Sequence, residues 1–367
     1  MVYLDYSATT PCDERVLKRF VESSRHHIAN PNSGHPLGVV AHTLLAETAQ
    51  SIARDLACPE SEVVFTSGAT EANNLAIRGL KRPQNAHAIT TVFEHPSVTA
   101  CFTELQKTGV QVEFAKTDAN GVIDIDALER QITPSTYLVS IGAVNSEIGL
   151  VQDLGAIKRL LSLHPHITFH ADITQALGKM PLSAPLPDLV SFSAHKIHGL
   201  KGVGALIKPQ ALELQRVLVG GNSFNASRPG TPSLPLAVSL AEAVRLATKE
   251  LEDRREKVIG LYRYLRAKLA GVPGIHINSN DHCLPQIVNL SVAKLPSTAI
   301  RDALGEQGIY VSTQTACASD IGFSQAVFRF TGSEDLAKSA IRISLSHLST
   351  AREIDALCTA LERLVQG

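Results

Sequence analysis

From about residue 60 to 210, short apolar runs alternate with segments whose apolar positions recur at helical spacing. The runs Glu62–Phe65, Ala88–Val92, Val110–Ala115, Tyr137–Ile141, Ile167–His170, Leu189–Phe192 and Val203–Ile207 read as strands. Thr70–Gly79, Ile125–Gln131 and Leu154–Leu163 read as helices between them. Strands that stay apolar at successive positions are covered on both faces, so the alternation predicts a mostly parallel sheet of seven strands with helices on both sides. A long helical stretch from Pro235 to Leu269 follows, carrying Glu250, Glu252, Arg254, Arg255 and Glu256. Beyond Pro273 the order becomes strand (Gln286–Val292), helix (Thr298–Gln307), strand (Tyr310–Ser312), strand (Ile341–Ser346) and helix (Thr350–Val365). Thr350 and Glu353 fit a capping box on the last helix. The expected fold class is α/β, with a large domain at 15–250 and a smaller α+β domain formed by 1–14 and 251–367.

The 367 residues suffice for two such units. With net charge −1, 5% aromatics and no Trp, the chain lacks the basic stripe and stacking platform of a nucleic-acid binder. No run approaches the ~18 apolar residues of a membrane span, and Met1–Asp5 lacks a leader pattern, so neither membrane nor nucleic acid is an expected partner and a cytoplasmic location is expected. Six cysteines (12, 58, 101, 283, 317, 358) have no CxxC spacing, which argues against a zinc site or disulfide framework; no metal is expected.

Three strand ends carry chemistry. Ligands of α/β sheets bind where strands turn polar at their carboxyl ends. Leu189–Phe192 leads into Ser193, His195 and Lys196, and a shielded lysine can form a Schiff base with an aldehyde cofactor. Val63-Val-Phe-Thr-Ser-Gly-Ala-Thr-Glu71 is a strand, a glycine turn and a helix start, whose exposed N–H groups suit a phosphate, with Ser67, Thr70 and the backbone around Ala69 as donors. The missing Gly-Lys-Ser/Thr ending argues against a nucleotide loop. Asp172 ends a third strand, where a carboxylate suits a protonated ring nitrogen. His95, at the end of Thr91-Val-Phe-Glu-His, can stack on a flat ring and move protons. Each residue alone has an ordinary explanation: surface lysine, helix cap, structural histidine. Together they fit pyridoxal 5′-phosphate, whereas no GxGxxG follows a strand to suit a dinucleotide. Arg342, alternating with Ile341 and Ile343, lies on the opposite strand face from them, and its planar fork suits a carboxylate.

Almost end to end, the chain resembles the cysteine desulfurases of the class V, fold-type I pyridoxal-phosphate enzymes. The resemblance rests on Tyr3-Leu-Asp-Tyr-Ser-Ala-Thr-Thr-Pro11, Phe65-Thr-Ser-Gly-Ala-Thr-Glu71, Glu94-His95, His170-Ala-Asp-Ile-Thr-Gln175, Ser193-Ala-His-Lys196, Thr315-Ala-Cys-Ala-Ser319 and Ser339-Ala-Ile-Arg-Ile-Ser-Leu345. It implies that Lys196 carries the cofactor, Asp172 pairs with its ring nitrogen, His95 stacks as acid/base and Gln175 bonds its phenolic oxygen. It implies phosphate contacts from Ala69, Thr70, Ser193 and His195, and from Thr231 of the second subunit of a homodimer. Arg342 would hold the carboxylate of L-cysteine, and Cys317 would bear a persulfide for a sulfur-acceptor protein, as in iron–sulfur cluster biogenesis. Cys58, Cys101, Cys283 and Cys358 look structural. Two other readings share the motifs: a selenocysteine lyase or other class V lyase or aminotransferase, and a paralogue kept as a binding subunit.

The chain departs from the family pattern at Asn145-Ser146-Glu147, where the second Asn is usual. Ser146 has a shorter reach, and Asn145 points the other way in an extended segment; both are candidate substrate contacts. Residues 222–228 are less charged than usual, Thr313-Gln-Thr315 is bulkier, and the longer tail of housekeeping sulfur donors is not seen, which leaves the acceptor open.

Overall fold

The computed structural model describes residues 1–221, 223–313 and 322–366. The strands, in chain order, are β1 (Val2–Tyr3), β2 (Ser61–Thr66), β3 (His87–Thr90), β4 (Gln111–Phe114), β5 (Thr136–Ser140), β6 (Thr168–Asp172), β7 (Leu189–Ser193), β8 (Gly204–Pro209), β9 (Ile275–Ile277), β10 (Ile287–Val292), β11 (Ile309–Tyr310) and β12 (Ala340–Ser344). A seven-stranded sheet runs β2-β8-β7-β6-β5-β3-β4, in which β8 alone is antiparallel to its neighbours. The expected strand order of chemistry follows from it, because β6 and β7 lie side by side with Asp172 opposite Ser191.

The apolar runs explain the two covered faces. Ile89, Val139, Phe169, Val190 and Ile207 pack into one core, while Ala88, Leu138, Leu189 and Leu206 pack into another on the opposite face. Successive residues of a strand point to opposite sides, so a pair such as Leu138-Val139 serves both. The helices α1 (Glu14–His26), α2 (Pro36–Asp55), α3 (Ala69–Arg78), α4 (Pro96–Lys107), α5 (Ile125–Gln131), α6 (Leu154–Leu161) and α7 (Leu234–Lys249) cover them. The alternating pattern did not register α1, α2 or α4, because two of them precede the sheet and the third follows the His95 turn.

The single helical stretch expected from Pro235 to Leu269 is two helices, α7 and α8 (Leu251–Leu269). Glu250 joins them, and its carboxylate accepts from Arg15 at 2.5 Å and from Arg254 at 2.7 Å. A separate core gathers Leu4, Val258, Leu265, Val288, Leu290, Ile341, Ile343, Ile354 and Leu357 around a three-stranded sheet, β12-β10-β9. It is completed by α8, α9 (Ser297–Glu306) and α12 (Ala351–Gln366), whereas α10 (Gln325–Thr331) and α11 (Glu334–Lys338) pack Val327 and Ala337 into a separate cluster with Phe93, Ile148 and Leu150. The chain start is part of this unit: β1 pairs with β11, and Ser344 N–H donates to the Leu4 carbonyl at 2.7 Å. Thr350 and Glu353 cap each other across the first turn of α12, as the sequence spacing predicts.

Candidate active site

The ends of β2, β6 and β7 open on one cleft of about 260 Å³ whose lining includes Ala69, Thr70, His95, Ser146, Asp172, Gln175, Ser193, His195, Lys196 and Arg342. At its floor, two close approaches shape an anion cradle. Thr66, Gly204 and Ser193 form one row across β2, β8 and β7. A side chain at Gly204 would meet the Phe192 carbonyl at 2.4 Å and Gly68 Cα at 2.7 Å, so glycine is what brings the turn before α3 against β7. Ala69 N–H then donates to Ser193 Oγ at 2.6 Å. No side chain caps α3 at Gly68, which leaves its positive end to the cleft.

Lys196 follows β7 on a single 3-10 turn, Ala194–Lys196, strapped down from outside. Thr10 N–H and Oγ1 both donate to the His195 carbonyl, and His198 N–H donates to Thr10 Oγ1. Lys196 Nζ donates to the Ser7 and Ala8 carbonyls at 2.6 and 2.8 Å. His195 Nδ1 lies 3.2 Å from Thr9 Oγ1, and burial beside Lys196 pushes its imidazole down to about 4, so it is neutral at physiological pH.

Asp172 is held by two contacts. Its Oδ1 accepts from Thr174 N–H at 2.9 Å, and its Oδ2 accepts from Asn73 Nδ2 at 2.8 Å. The same Asn73 amide donates to Ser97 Oγ at 2.8 Å. Ser97 N–H donates to His95 Nδ1 at 3.1 Å, where His95 caps α4. Since Nδ1 accepts, the proton of the neutral ring sits on Nε2. Burial lowers the His95 pKa, with Asp172 opposing and Lys196 reinforcing that direction. Asn73, wholly buried, thus ties the two residues together. Sequence reading missed it; the available signal was an asparagine one turn beyond Thr70 on the apolar side of α3.

Glu94 is a second residue not foreseen. It lines the cleft, accepts from Gly142 N–H at 2.7 Å and Thr91 Oγ1 at 3.1 Å, and burial pushes its carboxyl up to about 8.

Arg342 lies opposite Ile341 and Ile343 on β12, as alternation requires, and is 2% exposed. Its Nη2 pairs with Asp5 at 2.7 Å and its Nη1 donates to the Ser146 carbonyl at 2.9 Å, while Nε is buried with no partner. Thr174 Oγ1, also on the cleft wall, is buried without a partner. Buried groups of this kind are normally satisfied, so both stand out among the residues that line the cleft. The cleft suits a flat ligand bearing an anion at one end, a cationic ring atom near Asp172, and a carboxylate near Arg342.

Not all the expected residues meet there. Asn145 is absent from the cleft lining: its Nδ2 donates to the Phe93 carbonyl and its Oδ1 accepts from Glu147 and Ile148 N–H, so the amide is used up building the turn that presents Ser146. As a substrate contact Asn145 is therefore a correction to the sequence reading. Thr231 is exposed and lines a different cavity of about 150 Å³ with Thr66, Ser67 and Arg228. Cys317 lies outside the described residues. Cys101, Cys283 and Cys358 are buried free thiols that burial holds near 11, which suits structural roles; Cys58 is half-buried and raised for the same reason. Among the described residues no cluster of metal-ligating side chains occurs, and no helix is long and apolar enough to cross a membrane.

A seven-stranded sheet with a lysine, an aspartate and an uncapped helix at its strand ends defines a class of enzymes, and residues 2–357 match the model of the aminotransferase class-V family. The chain belongs to that family. Its relatives include the cysteine desulfurase IscS of Methylococcus capsulatus, 36% identical over 96% of this chain and 90% of that one. A NifS/IcsS protein homolog of Lactobacillus delbrueckii subsp. bulgaricus is 34% identical, covering all of this chain and 97% of its own. Among solved structures, a NifS-like protein superposes with TM-score 0.90 at 31% identity, over all of this chain and 99% of that one.

Proposed function

We propose that this chain is a pyridoxal 5′-phosphate-dependent cysteine desulfurase, converting L-cysteine to L-alanine and retaining the sulfur on Cys317 for an acceptor protein. The observation that carries the reading is the convergence of Lys196, Asp172, His95, the start of α3 and Arg342 on one cleft.

When bound, the cofactor supplies an electron sink for the carbanion formed at the substrate Cα. The protein supplies the rest. The α3 N-terminus with Ala69, Thr70, Ser193 and His195 holds the phosphate, and Asp172 holds the ring nitrogen protonated. Arg342 holds the substrate carboxylate, with its fork oriented by Asp5 and the Ser146 carbonyl. Lys196 Nζ takes the Cα proton. His95 keeps a proton on Nε2 and covers the ring face. The Cys317 thiolate attacks the substrate sulfur, the Cβ–S bond breaks, and the sulfur remains as a persulfide. Holding these partners in line contributes much of the rate.

Thr231 acts, in this reading, from a second copy of the chain in a homodimer. We also propose that the two cores mark two units, 15–250 and 1–14 with 251–367, and that the protein works in the cytoplasm.

The test is incubation with L-cysteine and a reductant, measuring alanine and sulfide, with selenocysteine run in parallel. Wild type should yield both products from cysteine. Cys317→Ala should lose sulfide release from cysteine, and Lys196→Ala should lose turnover and yellow colour together. Full cysteine turnover in Cys317→Ala would refute the persulfide step.

A further inference from the structure

Gln175 stands between two groups of fixed hydrogen-bond character. Its Nε2 donates to the Ser7 carbonyl at 2.9 Å, and its Oε1 accepts from Lys179 Nζ at 2.6 Å. A carbonyl only accepts, and the lysine amine has N–H to donate in either protonation state, so both neighbours suit the same orientation of the amide. The Ser7 carbonyl also accepts from Lys196 Nζ at 2.6 Å, so it serves both residues. The second hydrogen of the Gln175 amide meets no acceptor among the described residues, and Gln175 lines the cleft.

Lys179 itself is absent from the cleft lining. It faces a small adjoining cavity of about 30 Å³, with Lys196, His198 and Gln286. The turn that sets it there passes through Gly178, at φ +70, where a side chain would meet Ala247 Cβ at 2.8 Å. Gln286 Nε2 in turn donates to the Lys179 carbonyl at 3.0 Å. Burial and the neighbouring Lys196 and Arg342 charges push the Lys179 amine down to about 7, a solvation loss that a surface lysine would not bear.

We propose that Lys179 is a positioning residue, locking the Gln175 amide so that an N–H, and not the carbonyl oxygen, is offered to an oxygen anion in the cleft. Resting on the function proposed above, that anion is the phenolic oxygen of the cofactor. Without Lys179, Oε1 becomes a buried acceptor lacking a donor, and the amide gains by turning it elsewhere.

The experiment compares pyridoxal 5′-phosphate with its 3-deoxy analogue, which keeps the aldehyde and phosphate and lacks the phenolic oxygen. Dissociation constants are measured for wild type, Lys179→Met and Lys179→Arg. Lys179→Met should weaken pyridoxal phosphate about tenfold, the size of one hydrogen bond, and leave the analogue within about twofold. Lys179→Arg, which keeps a cationic donor, should recover most of the loss. Equal weakening for both compounds would mean a merely structural lysine, and no weakening would mean no role; either overturns the proposal. Should Lys179→Met not fold, Lys179→Leu, which also lacks a donor, serves the same comparison with Lys179→Arg. Wild type that binds neither compound would remove the cofactor reading and this proposal together. Wild type that binds both equally would overturn the Gln175 contact and with it this proposal, and would leave the cofactor reading standing.

Discussion

Replacing Glu94 by glutamine should make the protein more stable in alkali and leave it unchanged in acid. Glu94 Oε1 accepts from Gly142 N–H and Thr91 O–H, and glutamine keeps an oxygen for both. What changes is the charge. Burial raises the carboxyl from its ordinary 4.5 to about 8; the Asp172 charge adds to this, and the two hydrogen bonds only partly oppose it. A carboxyl whose folded pKa lies above its unfolded one contributes stability that is complete below 4.5 and is lost as pH rises toward 8. At ~1.4 kcal/mol per pH unit, that interval corresponds to at most about 5 kcal/mol. Even half of it is a large share of the roughly 5–15 kcal/mol that holds a domain folded. The assay is urea unfolding of both proteins at one concentration, from pH 5 to 9. Titrations common to both cancel in the difference, which should be at most about 1 kcal/mol at pH 5, grow in favour of Glu94→Gln through pH 8, and then level off. A difference that does not vary with pH, or one that favours the wild type at pH 9, would refute the claim that a buried carboxyl is being forced to ionise beside Asp172.

Gly204→Ala should destabilise by about 3 kcal/mol, because its Cβ would meet the Phe192 carbonyl and Gly68, and should weaken pyridoxal phosphate binding through the Ala69–Ser193 contact; thermal unfolding and a binding titration check both. Arg342→Lys should cut kcat/KM for cysteine by about 30-fold or more, chiefly through KM, since one ammonium cannot replace the fork shared by Asp5, Ser146 and substrate. Asn73→Ala should cost about 2 kcal/mol in urea unfolding, by removing a buried donor to the Asp172 carboxylate. Phe169→Ala, at a fully buried position of β6, should cost about 3–5 kcal/mol.

Most of the large sheet was readable because its strands, buried on both faces, leave largely apolar runs such as Val63–Phe65 and Leu189–Phe192 that end abruptly in polar residues. The same abruptness marked Lys196 and Asp172. Alternation alone gave the facing of Arg342, since Ile341 and Ile343 had to share one side of β12. Assigning roles to Gln175 and Thr231 needed the family resemblance, because nothing local distinguishes them. The break at Glu250 went unseen: neither proline nor glycine interrupts the helical pattern there, and the joint is held by Arg15, far away in the chain.

What the sequence determined by itself was therefore local: which segments are strands, which face each residue takes, and which polar groups stand at strand ends. Tertiary structure alone decided the partners. Asn73 meets Asp172 and Ser97, Asp5 meets Arg342, and Gln175 is held between Ser7 and Lys179. Except for Lys179, one turn away from Gln175, these contacts join residues distant in sequence. Apolar periodicity reports where a side chain points, whereas a hydrogen bond depends on what the rest of the chain brings within 3 Å of it.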